Sequence, residues 1–201
     1  MRALPAFTLL LASCGGGAAE NESTPARERG KPVVAPAAAL SPAAAPAPTS
    51  PLGKTVGCAP EEERIFSCKV ASGKRIAICG TGERDAEYRF GESTPELVLR
   101  GGRWASVPYS GGGEAQVAFA NGTTRYIVFS RMVRTNFAAG EPNNPAISDG
   151  VMVLDGEKVI GLQLCDDADT VSIDYDLAEA HFPRADELFS WETDRADRRT
   201  R

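Results

Sequence analysis

The pattern that most constrains the fold is an alternation of apolar and polar residues, with period two, on both sides of a turn dipeptide. It runs over residues 114–130 and is interrupted by Asn121-Gly122. Both residues tolerate the positive φ angles of a type I′ turn. In that register Val117 would face Tyr126 across the hairpin. The pattern therefore predicts an antiparallel hairpin with one apolar face turned to a core.

A second hairpin is predicted over residues 150–165, around the turn dipeptide Asp155-Gly156. In that register Met152 would face Val159. Both faces of this hairpin carry apolar residues, as expected of strands that are covered on both sides.

Shorter runs with the same period predict five further strands. They cover residues 64–70, 74–79, 87–90, 96–100 and 103–107. Beyond them, residues 174–180 and 184–191 are predicted as short helices, with Pro183 well placed at a helix start. Together these elements predict an all-β fold, a small antiparallel sandwich or barrel with one or two short C-terminal helices.

Four cysteines lie in this β-rich part: Cys58, Cys68, Cys79 and Cys165. In an oxidising compartment they would form two disulfides, and their spacings do not match the Cys-x-x-Cys patterns of zinc sites or thioredoxins. A four-residue loop between the first two strands would place Cys68 opposite Cys79, whereas a two-residue loop would place Cys68 opposite Ala77. We favour the first loop and expect the pairs Cys68–Cys79 and Cys58–Cys165.

The chain begins with an apolar run, residues 3–12, that leads into Leu-Ala-Ser-Cys at residues 11–14. The run is shorter than the roughly 20 apolar residues that cross a bilayer as a helix, and it fits the core of a secretory signal peptide. Leu-Ala-Ser-Cys resembles the lipobox of bacterial lipoproteins. That resemblance implies cleavage before Cys14 and lipid on its thiol. Because Gly15 replaces the Asp of an inner-membrane retention signal, it also implies the outer membrane, facing the periplasm.

The segment between Cys14 and the β-rich part has no periodic apolar pattern. Seven of the chain's 14 prolines lie between Pro25 and Pro51. Proline removes backbone donors, and so little bulky apolar area cannot offset the entropy of ordering the chain. We therefore expect a disordered linker. The predicted organisation is a signal peptide at 1–13, a lipidated tether at 14–57, a β domain at 58–193 and a frayed basic tail at 194–201.

The β-rich part also carries a recognisable set of short motifs. They are Phe-Ser-Cys at 66–68, Gly-Lys at 73–74, Cys79 and Tyr-Arg-Phe-Gly at 88–91. This set is similar to that of a family of exported bacterial proteins of unknown function. The resemblance covers most of residues 58–165. It implies a shared fold, and it implies no activity.

Charge and residue usage exclude several classes of function. Residues 58–201 carry 24 acidic and 17 basic side chains, a net charge of −7, so the clustered cations that bind nucleic acid are missing. His181 is the single histidine, and we expect a structural or exposed role for it. The aspartates between 166 and 176 do not have the spacing of a calcium loop. We predict no catalytic residue, no metal and no cofactor.

The function predicted from these features is a non-catalytic binding or interaction module of the cell envelope. Its partners would be the membrane, through the lipid on Cys14, and an envelope protein or glycan. One alternative is an inhibitor, because Tyr109-Ser110-Gly111 resembles a loop of C-type lysozyme inhibitors.

A second alternative is an envelope hydrolase that uses carboxylates alone. Glu87, Glu96 and Glu114 lie in or near predicted strands and could project into one cleft.

Overall fold

The computed structural model describes residues 55–199. The predicted signal peptide, the lipidation of Cys14 and most of the predicted tether lie outside these residues. Within residues 55–199, no helix has the length and apolarity needed to cross a bilayer.

Within residues 55–199, nine antiparallel strands form two separate sheets, so the prediction of a small antiparallel sandwich or barrel is confirmed, and the fold is the sandwich. Sheet 1 contains, in spatial order, β1 (Glu63–Lys69), β2 (Arg75–Gly82), β3 (Asp85–Gly91) and β4 (Pro95–Leu99). Sheet 2 contains, in spatial order, β5 (Arg103–Tyr109), β6 (Gly112–Asn121), β7 (Thr124–Arg134), β8 (Pro145–Asp155) and β9 (Lys158–Leu164). Within each sheet, every strand pairs with the strands that adjoin it in sequence, which places the two sheets one after the other along the chain.

The core lies between the sheets, because alternate residues of each strand point to the same side. Tyr88 of β3 packs against Phe119 of β6 with ring centroids 5.5 Å apart. Phe119 also meets Phe182 edge to face at 5.6 Å. These buried rings join the two sheets and the C-terminal part of the chain into one core.

The first predicted hairpin is confirmed, but its register differs by two residues. The two-residue loop is Gly122-Thr123, flanked by the pair Asn121 and Thr124, and only Gly122 in it has a positive φ, of 62°. This is the type II′ pattern, with glycine at the first loop position. Val117 therefore faces Val128 instead of Tyr126. Because side chains alternate with period two, a shift of two leaves the predicted apolar face unchanged.

The second predicted hairpin is also present, and its register differs from the prediction for two reasons. Its loop is Gly156-Glu157, so the predicted turn is again displaced by one residue. A bulge in β9 at Ile160 then changes the register beyond Leu154. As a result Met152 faces Leu162 instead of Val159.

One of the two predicted helices is present. Helix α1 (Tyr175–His181) begins after Asp174, whose carboxylate accepts a hydrogen bond from the backbone N–H of Leu177. The helix predicted at 184–191 is wrong. Instead, the chain runs beside β5 there, and Trp104 bonds through its backbone to Pro183 and Ala185.

The C-terminal residues also differ from the prediction of a frayed tail. Residues Glu192–Arg199 form a 3₁₀ helix. Within it Ala196 is fully buried, and Asp197 pairs with Arg131 of β7. The folded part therefore extends beyond the predicted boundary at residue 193. It also starts before residue 58, because Val56 is buried.

All four cysteines of the domain are in disulfides, but the predicted pairing is wrong. The bonds are Cys58–Cys79 and Cys68–Cys165. In the β1–β2 hairpin, Cys68 faces Ile76, a register that neither of the two loops considered from the sequence would give. Cys68 points into the core and reaches Cys165 at the end of β9. Cys79 points to the opposite side of sheet 1 and bonds the chain that lies over it.

Each sheet has an outer face that is covered by one end of the folded chain. The N-terminal segment, residues 55–62, lies on the outer face of sheet 1 and is held there by the Cys58–Cys79 disulfide. The C-terminal segment, residues 188–199, lies on the outer face of sheet 2, where Phe189 packs against the apolar side chains of Ile127, Met152 and Leu154. A free sheet face would otherwise leave this apolar surface in water.

Candidate functional site

The three glutamates predicted to share a cleft are not brought together. Glu87 and Glu114 are both buried, but they lie on the outer faces of different sheets. Glu96 is on the surface, where its carboxylate lies 2.6 Å from Lys74 Nζ. This geometry offers no pair of these carboxylates that could act on one substrate.

Glu87 belongs to a buried ion cluster under the N-terminal segment. One of its oxygens accepts hydrogen bonds from Arg89 Nε and an Arg89 terminal nitrogen, at 2.9 and 2.7 Å. Arg89 also donates to both carboxylate oxygens of Glu62, at 2.8 and 2.6 Å, and Arg100 pairs with the other Glu87 oxygen. Burial acts to lower the pKa of Arg89, but the bonds to the two glutamates outweigh it and raise that pKa above its ordinary value.

Glu114 is buried under the C-terminal segment among mostly neutral donors. Its carboxylate accepts hydrogen bonds from Tyr109 Oη at 2.6 Å, Gln116 Nε2 at 2.6 Å and Thr193 Oγ1 at 2.5 Å. Arg131 Nε lies 3.2 Å away. Burial and the bond to Glu114 raise the pKa of Tyr109, so this hydroxyl keeps its proton and acts as a donor.

His181 is buried at the end of α1. Its Nδ1 lies 3.1 Å from the backbone oxygen of Asp85, and its Nε2 lies 2.6 Å from Glu63 Oε2. The ring packs so closely on Gly80 that a Cβ there would lie 2.6 Å from Nε2. His181 thus joins α1 to sheet 1, and of the two roles expected for it, structural or exposed, it has the structural one.

Potential metal ligands converge at one place within residues 55–199, and they are already engaged. Atoms of Cys58, Glu62 and Cys79 lie within 4.8 Å of one another. The two cysteines form a disulfide, and Glu62 bonds to Arg89. The aspartates between 166 and 176 form no such group.

The strongest candidate for a ligand site is a surface cleft of about 470 Å³ on the outer side of sheet 2. We call it the aromatic–arginine cleft. It is lined by Tyr109, Ser110, Arg131, Val133, Arg134, Phe137, Trp191 and Asp194. These residues come from the end of β5, the end of β7, the loop that follows β7 and the C-terminal segment. A cleft of this size lies in the range of small-molecule sites.

Two large aromatic side chains of the cleft are strongly exposed to solvent. Phe137 is 71 % exposed and Trp191 is 59 % exposed. They are two of the six large apolar side chains that stand out from the described surface, and the other four lie outside this cleft. Exposed apolar rings next to polar groups are typical of binding sites, because they lose water when a partner covers them.

The two arginines of the cleft are held in different ways. Arg131 lies 5.5 Å from the ring centroid of Tyr109 and is neutralised by Glu114 and Asp197. Arg134 lies 5.1 Å from the ring centroid of Phe137, and its Nε donates to the backbone oxygen of Asn136. Within residues 55–199, no carboxylate lies within 4.0 Å of the Arg134 guanidinium. Its terminal nitrogens are therefore positioned to donate to a ligand.

The loop that carries Phe137 is closed by its own hydrogen bonds. The backbone N–H groups of Thr135 and Asn136 both donate to the backbone oxygen of Asn143, at 3.1 and 3.0 Å. The Asn136 side chain accepts from the N–H of Ala138 and donates to Glu141. These bonds hold the backbone on both sides of Phe137, at Asn136 and at Ala138.

Sequence reasoning singled out only Tyr109 and Ser110 among the cleft residues. Phe137 and Trp191 were missed, although each is an aromatic residue in a polar segment that was predicted to lie outside the strands. An aromatic side chain in a polar segment was the signal that the sequence offered for each residue. It could not show that the two rings line one cleft, because 53 residues separate them in the sequence.

Comparisons with known proteins add no further guide to the site. No family model matches the chain, and no match was found among curated proteins or solved structures. The resemblances described from the sequence therefore stay predictions. The two disulfides by themselves indicate an oxidising, extracytoplasmic compartment.

Proposed function

We propose that this protein is a non-catalytic binding module of the cell envelope that is held at a membrane by lipid on Cys14. Its partner binds in the aromatic–arginine cleft. The observation that carries the proposal is the pair of exposed rings, Phe137 and Trp191, beside the positioned guanidinium of Arg134. Trp, Tyr and Arg are the residues that most often dominate binding energies at interfaces.

Two features of the chain support the anchored location. The sequence at residues 11–14 resembles a lipobox, and the domain carries two disulfides. The outer membrane facing the periplasm is the location that Gly15 favours. A tether would join the domain at residue 55, on the outer face of sheet 1. The cleft is on the outer side of sheet 2.

Support for binding instead of catalysis comes from how the polar groups are used. Glu87 and Glu114 are each surrounded by donors of the protein itself, which leaves them no access to a substrate. The hydroxyl of Tyr109 bonds to Glu114, so it is not presented to a partner. For this reason we do not carry forward the lysozyme-inhibitor alternative, which depends on the loop at Tyr109.

The test of the cleft is photo-crosslinking in the native envelope. A photoreactive phenylalanine analogue replaces Phe137 in one strain and Ile160, an exposed residue of β9, in a control strain. We expect a discrete crosslinked product from position 137 and none from position 160. Equal labelling from the two positions, or no product from position 137, would contradict the proposal.

The test of the anchor is cell fractionation of Cys14→Ser. We expect the wild-type protein in the membrane fraction and the variant in the soluble fraction, because two or more acyl chains anchor stably whereas none does so. Cys14→Ser that remains in the membrane fraction until detergent is added would show that lipid on this residue is not the anchor.

A further inference from the structure

We propose that the ligand of the aromatic–arginine cleft is a small organic acid. Its carboxylate or phosphate binds the terminal nitrogens of Arg134, and its apolar part contacts the rings of Phe137 and Trp191. This inference rests on the proposed function and adds the chemical class of the ligand. It is drawn from the donor geometry of Arg134, the exposed rings and the size of the cleft.

Three contacts hold the side chain of Arg134 in the cleft. Its Nε donates a hydrogen bond to the backbone oxygen of Asn136, and its guanidinium carbon lies 5.1 Å from the ring centroid of Phe137. Its stem packs on the turn between β5 and β6, so closely that a Cβ at Gly111 would lie 3.1 Å from Arg134 Cβ. Because the side chain is already held, a ligand that binds it costs little further side-chain entropy.

The hydrogen bond at Nε leaves the two terminal nitrogens of Arg134 for a ligand. Within residues 55–199 these nitrogens have no hydrogen-bond partner. They lie side by side on one edge of the planar guanidinium and can donate two parallel hydrogen bonds to two oxygens of one group. A carboxylate or a phosphate has two such oxygens, whereas an alcohol or an amide has one. The donor geometry therefore favours an acid.

The other charged residues that line the cleft are already engaged within the protein. Arg131 is paired with Glu114 and Asp197. Asp194 also has a partner within the protein, so we assign it no contact with the ligand. Arg134 is the cation of the cleft that has no carboxylate within 4.0 Å among the described residues. A bound acid would supply one.

The two exposed rings provide the apolar part of the site. Phe137 and Trp191 are both strongly exposed, so each loses water when an apolar group covers it. The guanidinium of Arg134 lies near the ring of Phe137, which places apolar surface directly beside the charge. The hydroxyl of Ser110 also lines the cleft and can donate a further hydrogen bond to an anionic oxygen. An acid with no apolar part would leave both rings in water.

The extent of the apolar surface argues for a small ligand instead of a protein surface. A specific protein interface buries roughly 1,200–2,000 Å² and has a core of several apolar side chains. Among the described residues, two strongly exposed large apolar side chains line this cleft. A volume of about 470 Å³ is instead in the range of small-molecule sites.

The experiment titrates purified full-length protein with matched small probes and follows binding by nuclear magnetic resonance. Phenylpropionate and phenyl phosphate carry a ring and an anionic group. Phenylpropionamide keeps the ring without the charge, phenylpropylamine carries a cation, and acetate and inorganic phosphate keep the charge without the ring.

We expect at least one of the two ring-bearing acids to bind at least about fivefold more tightly than each of the other four probes, because hydrogen bonds between two charged groups are the stronger ones. The acid that binds more tightly identifies the anionic group as carboxylate or phosphate. Raising the salt from about 0.05 to about 0.5 M should weaken binding of that acid and leave binding of phenylpropionamide nearly unchanged, because ionic screening acts on charges.

Variants assign the two parts of the ligand to their residues. Arg134→Gln should remove the preference for phenylpropionate over phenylpropionamide, and Arg134→Lys should restore only part of it, because Lys keeps the charge and lacks the paired donors. Trp191→Ala should weaken binding of both probes alike. The matched controls are Arg103→Met and Ile160→Ala, which change exposed residues outside the cleft and should leave every affinity unchanged. Thermal unfolding shows whether each variant folds, and the probe series on the wild-type protein tests the proposal without any variant.

Each other outcome overturns the assignment of a small acid in a recognisable way. Equal affinities for the acid and its amide would show that the rings alone bind the ligand, and equal affinities for the acid and its ring-free anion would show that the rings contribute nothing. Tighter binding of phenylpropylamine would give the cleft the opposite charge preference. Binding of no probe, with crosslinking from position 137 retained, would overturn the small acid in favour of a larger partner and leave the binding module intact. Loss of that crosslink would instead overturn the proposed function.

Discussion

The outer faces of the two sheets each bury a glutamate, and different groups stabilise it on each face. Each face buries one glutamate under one end of the folded chain, Glu87 under the N-terminal segment and Glu114 under the C-terminal segment. Two arginines and a neighbouring glutamate surround Glu87. Three neutral donors and one arginine surround Glu114. The first segment is also attached covalently, through Cys58–Cys79, and the second has no disulfide.

This difference matches what each segment does in the proposed function. The N-terminal segment would receive any pull from the tether, and a disulfide resists such a pull better than packing does. The C-terminal segment supplies Trp191 and Asp194 to the cleft. Its attachment combines neutral hydrogen bonds to Gln116 and Glu114 with the ion pair between Asp197 and Arg131, and it holds these residues in place without a covalent bond. In the proposed function, the outer face of sheet 1 would serve attachment and the outer face of sheet 2 would serve recognition.

The largest expected effects come from removing the disulfides. Replacing both Cys58 and Cys79 by Ser should lower the free energy of unfolding by about 3 kcal/mol, because the bond closes a loop with a sequence separation of 21. The matched control replaces Cys68 and Cys165, which are 97 residues apart, and should lower it by about 4–5 kcal/mol. Urea unfolding of the full-length variants measures both values.

The comparison of the two faces also predicts which segment loosens when Cys58 and Cys79 are both replaced by Ser. Hydrogen exchange should speed up in residues 55–62 and stay unchanged in residues 188–199, because only the N-terminal segment loses its covalent attachment. Faster exchange in both segments would show that the two faces are not independent.

Removing the central arginine of the first face should have an effect of similar size. Arg89→Met leaves Glu87 buried with Arg100 as its remaining cation, and a stranded buried charge costs about 3–5 kcal/mol. The control is Arg103→Met, an exposed arginine whose loss should change the free energy of unfolding by less than about 0.5 kcal/mol. Adding Glu87→Gln to Arg89→Met should recover part of the loss. No recovery would mean that packing, and not charge, explains the effect.

The second face should lose less when its central polar residue is removed. The Gln116 side chain accepts from the N–H groups of Phe189 and Ser190 and donates to the backbone oxygen of Ser190 and to Glu114. Gln116→Met leaves these buried groups without that partner, and we expect a loss of about 2 kcal/mol. Hydrogen exchange checks this prediction: it should be faster at Phe189 and Ser190 and unchanged in residues 55–62. A loss as large as that of Arg89→Met would remove the distinction between the faces.

The local alternation of apolar and polar residues was enough to predict the strands. It did not predict the contacts between segments that are distant in the sequence. The alternation around Asn121-Gly122 predicted the β6–β7 hairpin and its apolar face, but the turn chemistry was assigned to the wrong pair of residues. The error was harmless because a shift of two preserves the faces. At Ile160 the bulge shifts the register by one, and the sequence carries no signal for it.

The disulfide pairing and the cleft depend on tertiary contacts that no local pattern contains. Cys79 bonds Cys58 because the N-terminal segment folds back over sheet 1, a path that its Gly-rich and Pro-rich approach did not indicate. Likewise, Glu87 and Glu114 were recognised as acids in or near strands, but the two arginines that neutralise Glu87 and the donors around Glu114 were not. The sequence identified the cysteines and the glutamates, and tertiary packing determined which residues they bond.

A third buried carboxylate, Asp149 of β8, has neither the arginines that surround Glu87 nor the set of neutral donors that surrounds Glu114. Its substitution gives the smallest predicted effect. It is 8 % exposed, and one of its oxygens has no hydrogen-bond partner among the described residues. Burial raises the pKa of Asp149, and the hydroxyls of Ser130 and Ser172 offset only part of that increase. The folded protein therefore holds this proton more tightly than the unfolded chain does.

The sign of the pH dependence follows from that raised pKa. Stability from this group is greatest below the ordinary carboxyl range and falls as pH rises through the raised pKa, where the buried side chain must ionise. Asp149→Asn removes the charge, so we expect the variant to unfold at higher urea than wild type at about pH 7, with the difference shrinking toward about pH 3. Asp186→Asn, at an exposed position, should show no such trend. If Asp149→Asn is instead less stable at neutral pH, the charge of Asp149 is stabilised in the folded protein and burial of a carboxylate here needs no arginine.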